Sequence, residues 1–167
     1  MATLTHVDEK SRVRMVDVSG KAATSRRALA AGRLRVTSAI SRAIRADAVA
    51  KGNVFETAKL GAIQAAKRTA ELIPLCHPLP ITSIRVEIRL SGLNVLIAAE
   101  VRAEAKTGVE MEALTAVATA CLIVYDMCKG IDKGMVIGPI ELLEKEGGKS
   151  GHYRKKSVSG KRGTRKR

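Results

Sequence analysis

Residues 84–133, IRVEIRLSGLNVLIAAEVRAEAKTGVEMEALTAVATACLIVYDMCKGIDK, decide the fold. Ile84, Val86, Ile88 and Leu90 alternate with Arg85, Glu87 and Arg89, the period-two pattern of a strand with one buried face. Ser91-Gly92 supplies a turn. Residues 95–105 form a second strand with Glu100, Arg102 and Glu104 on one face, so the pair predicts a hairpin. From Lys106 to Lys133 the reading is one long, mostly buried helix. Its middle, residues 116–124, holds no formal charge and suits no watery face. Thr107-Gly108-Val109-Glu110 has the form of a capping box. Glu110 and Glu112 fall in the first turn, where the helix dipole favours anions, whereas Asp126 falls near the unfavourable end. Glu112 and Asp126 are 14 positions apart, roughly 21 Å along the axis at 1.5 Å per residue. Both cannot touch one reacting atom from a single helix. Either they meet different parts of a ligand or a neighbouring subunit completes the site.

Working outward, residues 33–37 alternate as a strand, and Ser38 caps a short helix over 39–50. Asn53 followed by Glu56 is a second capping signal, opening an Ala-rich helix over 54–72. Three prolines between Pro74 and Pro80 then stiffen the chain and break regular structure. Beyond the long helix, residues 135–145 read as a last strand in which Gly138-Pro139 marks a bulge or an edge. Residues 1–14 read as loosely held, 15–19 as a short extended segment, and 20–32 show no firm pattern. The order from residue 33 is βαββαβ. It predicts an α+β, ferredoxin-like domain with an antiparallel sheet and helices packed on one face. The domain is expected over 1–151, with a flexible Gly147–Gly151 loop and a basic, disordered tail over 152–167.

The chain has 167 residues, enough for one domain with a real core. Hydrophobic residues are 46% and aromatics only 2%, so that core is aliphatic and rich in alanine. The net charge is +14, but eight Lys and Arg and no acid fall in 154–167. The remaining 22 cations and 16 acids leave a domain of +6, which favours anionic partners. Nucleic acid is disfavoured as that partner, because one Phe, two Tyr and no Trp offer little stacking surface. Cys76, Cys121 and Cys128 are odd in number and form no CxxC, which points to reduced thiols in the cytoplasm. No apolar run of about 7–15 residues opens the chain, and no uncharged apolar stretch reaches about 18, so neither a signal peptide nor a membrane span is expected.

Several groups carry possible chemistry beside a plainer reading. Leu75-Cys76-His77 sits in the proline-stiffened loop, which is otherwise just a connection. Lys51 precedes a helix N-terminus, where amides and an ammonium together suit an anion, although most loop lysines are simply solvated. Asp126 and Lys129 lie three apart on one helix face, either as a surface ion pair or as an acid–base pair. Glu110 has the capping role to fill, which makes Glu112 the freer acid. Lys145 and Lys149 flank Gly147-Gly148. A P-loop would need glycine where Leu143 stands, but a basic glycine-rich loop can still hold phosphate. Arg26 and Arg27 offer the same or a solvated face. No metal site is predicted: His6 and His152 lie in terminal segments, and no Cys/His cluster has zinc-like spacing.

The motifs MVDVS (15–19), KGNVFETAKLGAIQAAKRTAELIPLCHPL (51–79), KTGVEMEALTA (106–116), YDMCK (125–129), MVIGPIELLEK (135–145) and GGKSG (147–151) resemble the cyclic pyranopterin monophosphate synthase family, molybdenum-cofactor biosynthesis protein C. The resemblance runs in register over about residues 3–151. It implies a lyase that converts 3′,8-cyclo-7,8-dihydroguanosine triphosphate, the cyclised GTP made by a radical partner enzyme, to cyclic pyranopterin monophosphate with release of pyrophosphate. It implies no redox cofactor and leaves Mg²⁺ with the triphosphate or pyrophosphate open. It implies a homohexamer, a trimer of dimers, with sites at subunit interfaces. Asp126, Lys51 and Lys129 take the catalytic positions. Leu75, Cys76, His77, Glu110, Met111 and Glu112 take substrate-binding positions, and Arg26, Lys145 and Lys149 triphosphate or proton-transfer positions. The tail has no catalytic place in this scheme, and deleting 154–167 is expected to leave turnover nearly unchanged. Two rivals remain beside it: a nucleic-acid binder, and a structural subunit whose helix serves assembly alone.

Overall fold

Strand β1 (Thr24–Arg35) is the spine of the molecule. In the computed structural model, which describes residues 13–156, it pairs antiparallel on both sides. Its register with β3 (Asn94–Ala105) runs from Thr24 opposite Ala105 to Arg35 opposite Asn94. On its other side lies β4 (Val136–Glu146), while β2 (Ile81–Ser91) closes the predicted hairpin against β3. The sheet order is β2-β3-β1-β4-β5, antiparallel throughout, with β5 a short strand at Tyr153–Arg154. Its first four strands have the ferredoxin-like order.

Helices α1 (Ser38–Arg45), α2 (Val54–Lys67) and α3 (Thr69–Leu72) connect β1 to β2, and α4 (Glu110–Cys128) connects β3 to β4. Alternate residues of the central strands, among them Ala28, Ala30, Val95, Ile97, Ala99 and Val101, are buried on one side of the sheet. Ala113, Ala116, Val117, Ala120 and Val124 of α4 and Ala58, Ala62 and Ala66 of α2 complete this core. Small side chains let backbones approach closely. A Cβ on Gly32 would lie 2.6 Å from Val117 Cγ1, and one on Gly61 would lie 2.1 Å from Ile123 Cδ1. α4 is long and apolar enough by composition to cross a membrane, but here its buried side covers α2 and the sheet.

Several local expectations need correction. β1 begins nine residues before the predicted start, because pairing on both sides holds its poorly strand-forming Ala-Gly segment. The 15–19 segment joins no ladder; the Ser19 amide bonds Asp17 Oδ1 at 2.8 Å, and Ser19 O accepts from Lys106 Nζ at 2.7 Å. α1 has Thr37, not Ser38, at its N-cap and ends at Arg45, before Asp47 at φ +48. The predicted 54–72 helix breaks at Arg68, where the buried Thr69 hydroxyl bonds the carbonyls of Ala65 and Ala66. The capping box at 107–110 does not form: Val109 occupies the N-cap without a side-chain bond, and Glu110 turns to Lys145 at 3.2 Å. Asn53 does cap α2, accepting from the Glu56 amide at 3.0 Å. Gly138-Pro139 is the expected bulge: Leu34 faces Ile137 and Gly32 faces Ile140, so two β4 residues oppose Arg33. The expected loose tail begins too early, since Tyr153 and Arg154 pair with Lys145 and Glu144, and the Lys155 amide bonds Leu143 O at 2.8 Å. Residues 157–167, like the expected loose start at 1–12 with His6, lie outside the described residues.

Candidate active site

Asp126 sits in the last turn of α4, where exposed carbonyls repel a carboxylate. Two ammonium groups reverse that penalty. Lys129 Nζ lies 2.7 Å from Oδ1 and Lys51 Nζ lies 2.6 Å from Oδ2. Lys51 also donates to the Asp126 backbone carbonyl at 3.1 Å. The Asn53 cap fixes the start of α2 and holds Lys51, two residues earlier, against the end of α4. Lys129 and then Lys51 pull the Asp126 carboxyl down to about 2, and Asp126 in turn raises the Lys129 ammonium. Asp126 is therefore a fixed anion near neutral pH. Lys51 and Asp126 line a groove of about 970 Å³ between α2 and α4, together with Gly61, Ile123 and the exposed Leu60 and Leu122.

A second cavity, about 330 Å³, opens at the other end of α4. Leu75, Cys76 and His77 line it together with Glu110, Met111 and Glu112, so all six predicted binding residues meet in one place. Here neither acid keeps its expected role. Glu112 is 3% exposed, and its carboxyl is pushed up to about 7 by burial, with Glu110 adding to the rise. Glu110 is the more accessible acid and pairs with Lys145. Burial first, and Glu112 second, raise the Cys76 thiol, so this thiol suits hydrogen bonding better than nucleophilic attack. Lys145 also donates to Ser150 Oγ at 2.6 Å. Arg26 donates to Ala105 O at 3.2 Å, and its guanidinium lies against Gly148, while Lys149 stands exposed on the same loop. Lys145 links this basic group to the cavity through Glu110.

The match to known proteins follows the same elements. The MoaC family's sequence model covers residues 15–148, which is most of the chain. The chain belongs to the MoaC family. It is 53% identical to the cyclic pyranopterin monophosphate synthase of Parvibaculum lavamentivorans over 155 residues, 92% of this chain and 97% of that protein. It is 51% identical to the protein of the same name from Thermomicrobium roseum over 157 residues, 93% of this chain and 95% of that one. The Heliobacterium modesticaldum synthase is 53% identical over 155 residues, 92% of this chain and 98% of its own length.

Within this MoaC-family fold, sequence reasoning missed one wall of the second cavity. Val16, Val18 and Lys21 line it beside Leu79, Thr107 and Gly108. The signal was present for Val16 and Val18 in the MVDVS motif, but that segment joins no strand, and Lys21 lies beyond it. Arg27 separates from Arg26 because neighbouring β1 residues point to opposite sheet faces. Arg27 binds Glu100 at 2.7 Å, Glu144 at 3.0 Å and Glu146 at 3.1 Å, leaving it little capacity for a ligand. Glu144, Glu146 and His152 bring their ligand atoms within 4.8 Å of one another, but Arg27 already pairs with both carboxylates.

Proposed function

We propose that this chain is a cyclic pyranopterin monophosphate synthase of molybdenum cofactor biosynthesis. It would rearrange the cyclised GTP triphosphate into cyclic pyranopterin monophosphate and release pyrophosphate. The observation that carries the mechanism is the single carboxylate of Asp126 bridging two lysines beside an open groove. Opening a purine imidazole ring, rebuilding a pterin and closing a cyclic phosphate all require proton transfers. Asp126 would orient Lys51 and Lys129 for that work, with Lys129 entering as an ammonium acid. The buried Glu112, its carboxyl pushed up to about 7, would donate a hydrogen bond to the base in its protonated form, alongside His77 and Cys76. Arg26, Lys145 and Lys149 would hold the triphosphate. No redox step is called for, and Mg²⁺ belongs here only as a counter-ion of the triphosphate or pyrophosphate.

The two clusters occupy opposite ends of α4, roughly 21 Å apart by helix rise. Neither end alone contains both the lysine pair and the base-binding groups. A site completed by a second copy, in the dimers of a homohexamer, resolves this separation. The exposed Leu60 and Leu122 beside Asp126 favour such cover. The working place would be the cytoplasm, next to the radical enzyme that supplies the substrate; the three unbonded cysteines suit that compartment. The direct test supplies the cyclised GTP intermediate to purified protein and measures pyrophosphate and pterin. Well-folded protein without turnover would reject the reading. Full activity in both Asp126→Ala and Lys51→Ala would favour the assembly-only alternative.

A further inference from the structure

The loop after β4 reverses at Gly147, φ +96, and Gly148, φ +75. Both glycines press on β1: a Cβ at 147 would lie 2.1 Å from Ser25 O, and one at 148 would lie 1.8 Å from Arg26 Nη1. Only glycine fits this approach, which places loop backbone directly on the Arg26 guanidinium. Lys145 enters the loop from β4 and holds Ser150 on its far side. The loop is then tied down beyond Gly151. His152 Nε2–H donates to Glu144 Oε1 at 2.8 Å, Glu144 Oε2 binds Arg27, and Arg27 binds Glu100 on β3. The pairing of β5 with β4, the Lys155 amide bond to Leu143 O and the Lys155–Glu141 ion pair at 2.5 Å extend the tie. A strand of two residues has little hold of its own, so these side-chain bonds decide whether it stays docked. The family model's match ends at residue 148, before His152 and β5.

We propose that β5 is a clasp and His152 a positioning residue: their attachment to β4 holds the Gly147–Gly151 loop on Arg26, gathering Arg26, Lys145 and Lys149 into one anion site. The triphosphate as occupant rests on the synthase reading above; the clasp itself does not. His152 touches no substrate in this arrangement and acts through the loop.

The test uses the full-length chain and inorganic tripolyphosphate as the probe, measured by calorimetry, with turnover of the cyclised GTP intermediate measured in parallel. His152→Ala is expected to weaken tripolyphosphate binding about fivefold and raise KM by a similar factor, leaving kcat within about twofold. His152→Gln keeps an N–H donor for Glu144 and is expected to recover most of the affinity. Wild-type affinity in His152→Ala overturns the clasp. So does equal impairment of both variants with a lowered kcat, which marks a general structural role, and so does failure of the wild type to bind tripolyphosphate. Tripolyphosphate binding that responds to His152 in a protein without turnover rejects the synthase reading and leaves the clasp standing.

Discussion

Asp126 keeps its charge against the helix dipole because Lys129 and Lys51 face its two oxygens. A carboxyl depressed from 3.8 to about 2 supports the fold above its ordinary value and loses that support only as pH falls through the interval between them. The pair therefore stays set throughout the neutral range. Asp126→Asn keeps the shape and removes the charge. We expect kcat for pyranopterin formation to fall about 100-fold or more with little change in Tm; kcat near wild type would remove Asp126 from the mechanism. Glu112 has the opposite sign. Its buried carboxyl is raised from 4.5 to about 7, so stability is greatest while it is protonated and falls as pH rises across that window. Urea unfolding at pH 5 and pH 8 should reveal a loss of about 3 kcal/mol at most, and Glu112→Gln should flatten it. Equal slopes in the two proteins would place the titration elsewhere. The Asp126–Lys129 spacing was legible along one helix and Lys51 from its place before a helix N-terminus; the motif resemblance joined the three as catalytic positions. The burial of Glu112 was not legible, because a first-turn acid looks the same whether it faces water or the loop carrying Cys76.

Among the elements, β1 shows how a sheet overrides local preference. Residues 28–32, Ala-Leu-Ala-Ala-Gly, lack the β-branched side chains that usually mark a strand. They are strand because β3 and β4 satisfy their backbone on both sides and because α4 comes too close for larger groups. Gly32→Ala should therefore destabilise by about 1–3 kcal/mol, as Val117 and Ile140 are pushed aside. Chemical denaturation measures this, and adding Val117→Ala should recover part of the loss only if the Val117 contact is the cause. The hairpin of β2 and β3 and the long helix were readable because strict alternation and an uncharged apolar run survive any tertiary setting. The capping box was misread because its acid had a competing partner, Lys145, 35 positions away in the chain.

For the whole molecule, a composite site predicts complementation. When Asp126→Asn and His77→Ala protomers assemble at random, half the dimers are mixed and each contains one intact site. About a quarter of wild-type activity should return from two inactive parents, whereas a site contained in one chain returns none. The extent of the tail also changes the truncation that tests it. Cutting at 154 would remove half of β5 and the Lys155 bonds, so the earlier expectation for deletion of 154–167 no longer isolates the tail. Removing 157–167 does, and should leave kcat and KM within about twofold of wild type if that basic segment has no part in turnover. The overall architecture was legible because element order alone limits the sheet to few topologies. β5 was not, since a run of lysine and arginine gives no sign that its first residues return to an edge.

α4 also acts as a ruler. One inserted residue would turn everything beyond it by about 100° and shift it about 1.5 Å. Such a change between Ala116 and Val124 would leave Glu112 in its cavity but swing Asp126 away from Lys51. The β2–β3 turn at Gly92 fixes no comparable distance. The length of this helix should therefore be far less tolerant of insertion or deletion than its sequence is of substitution.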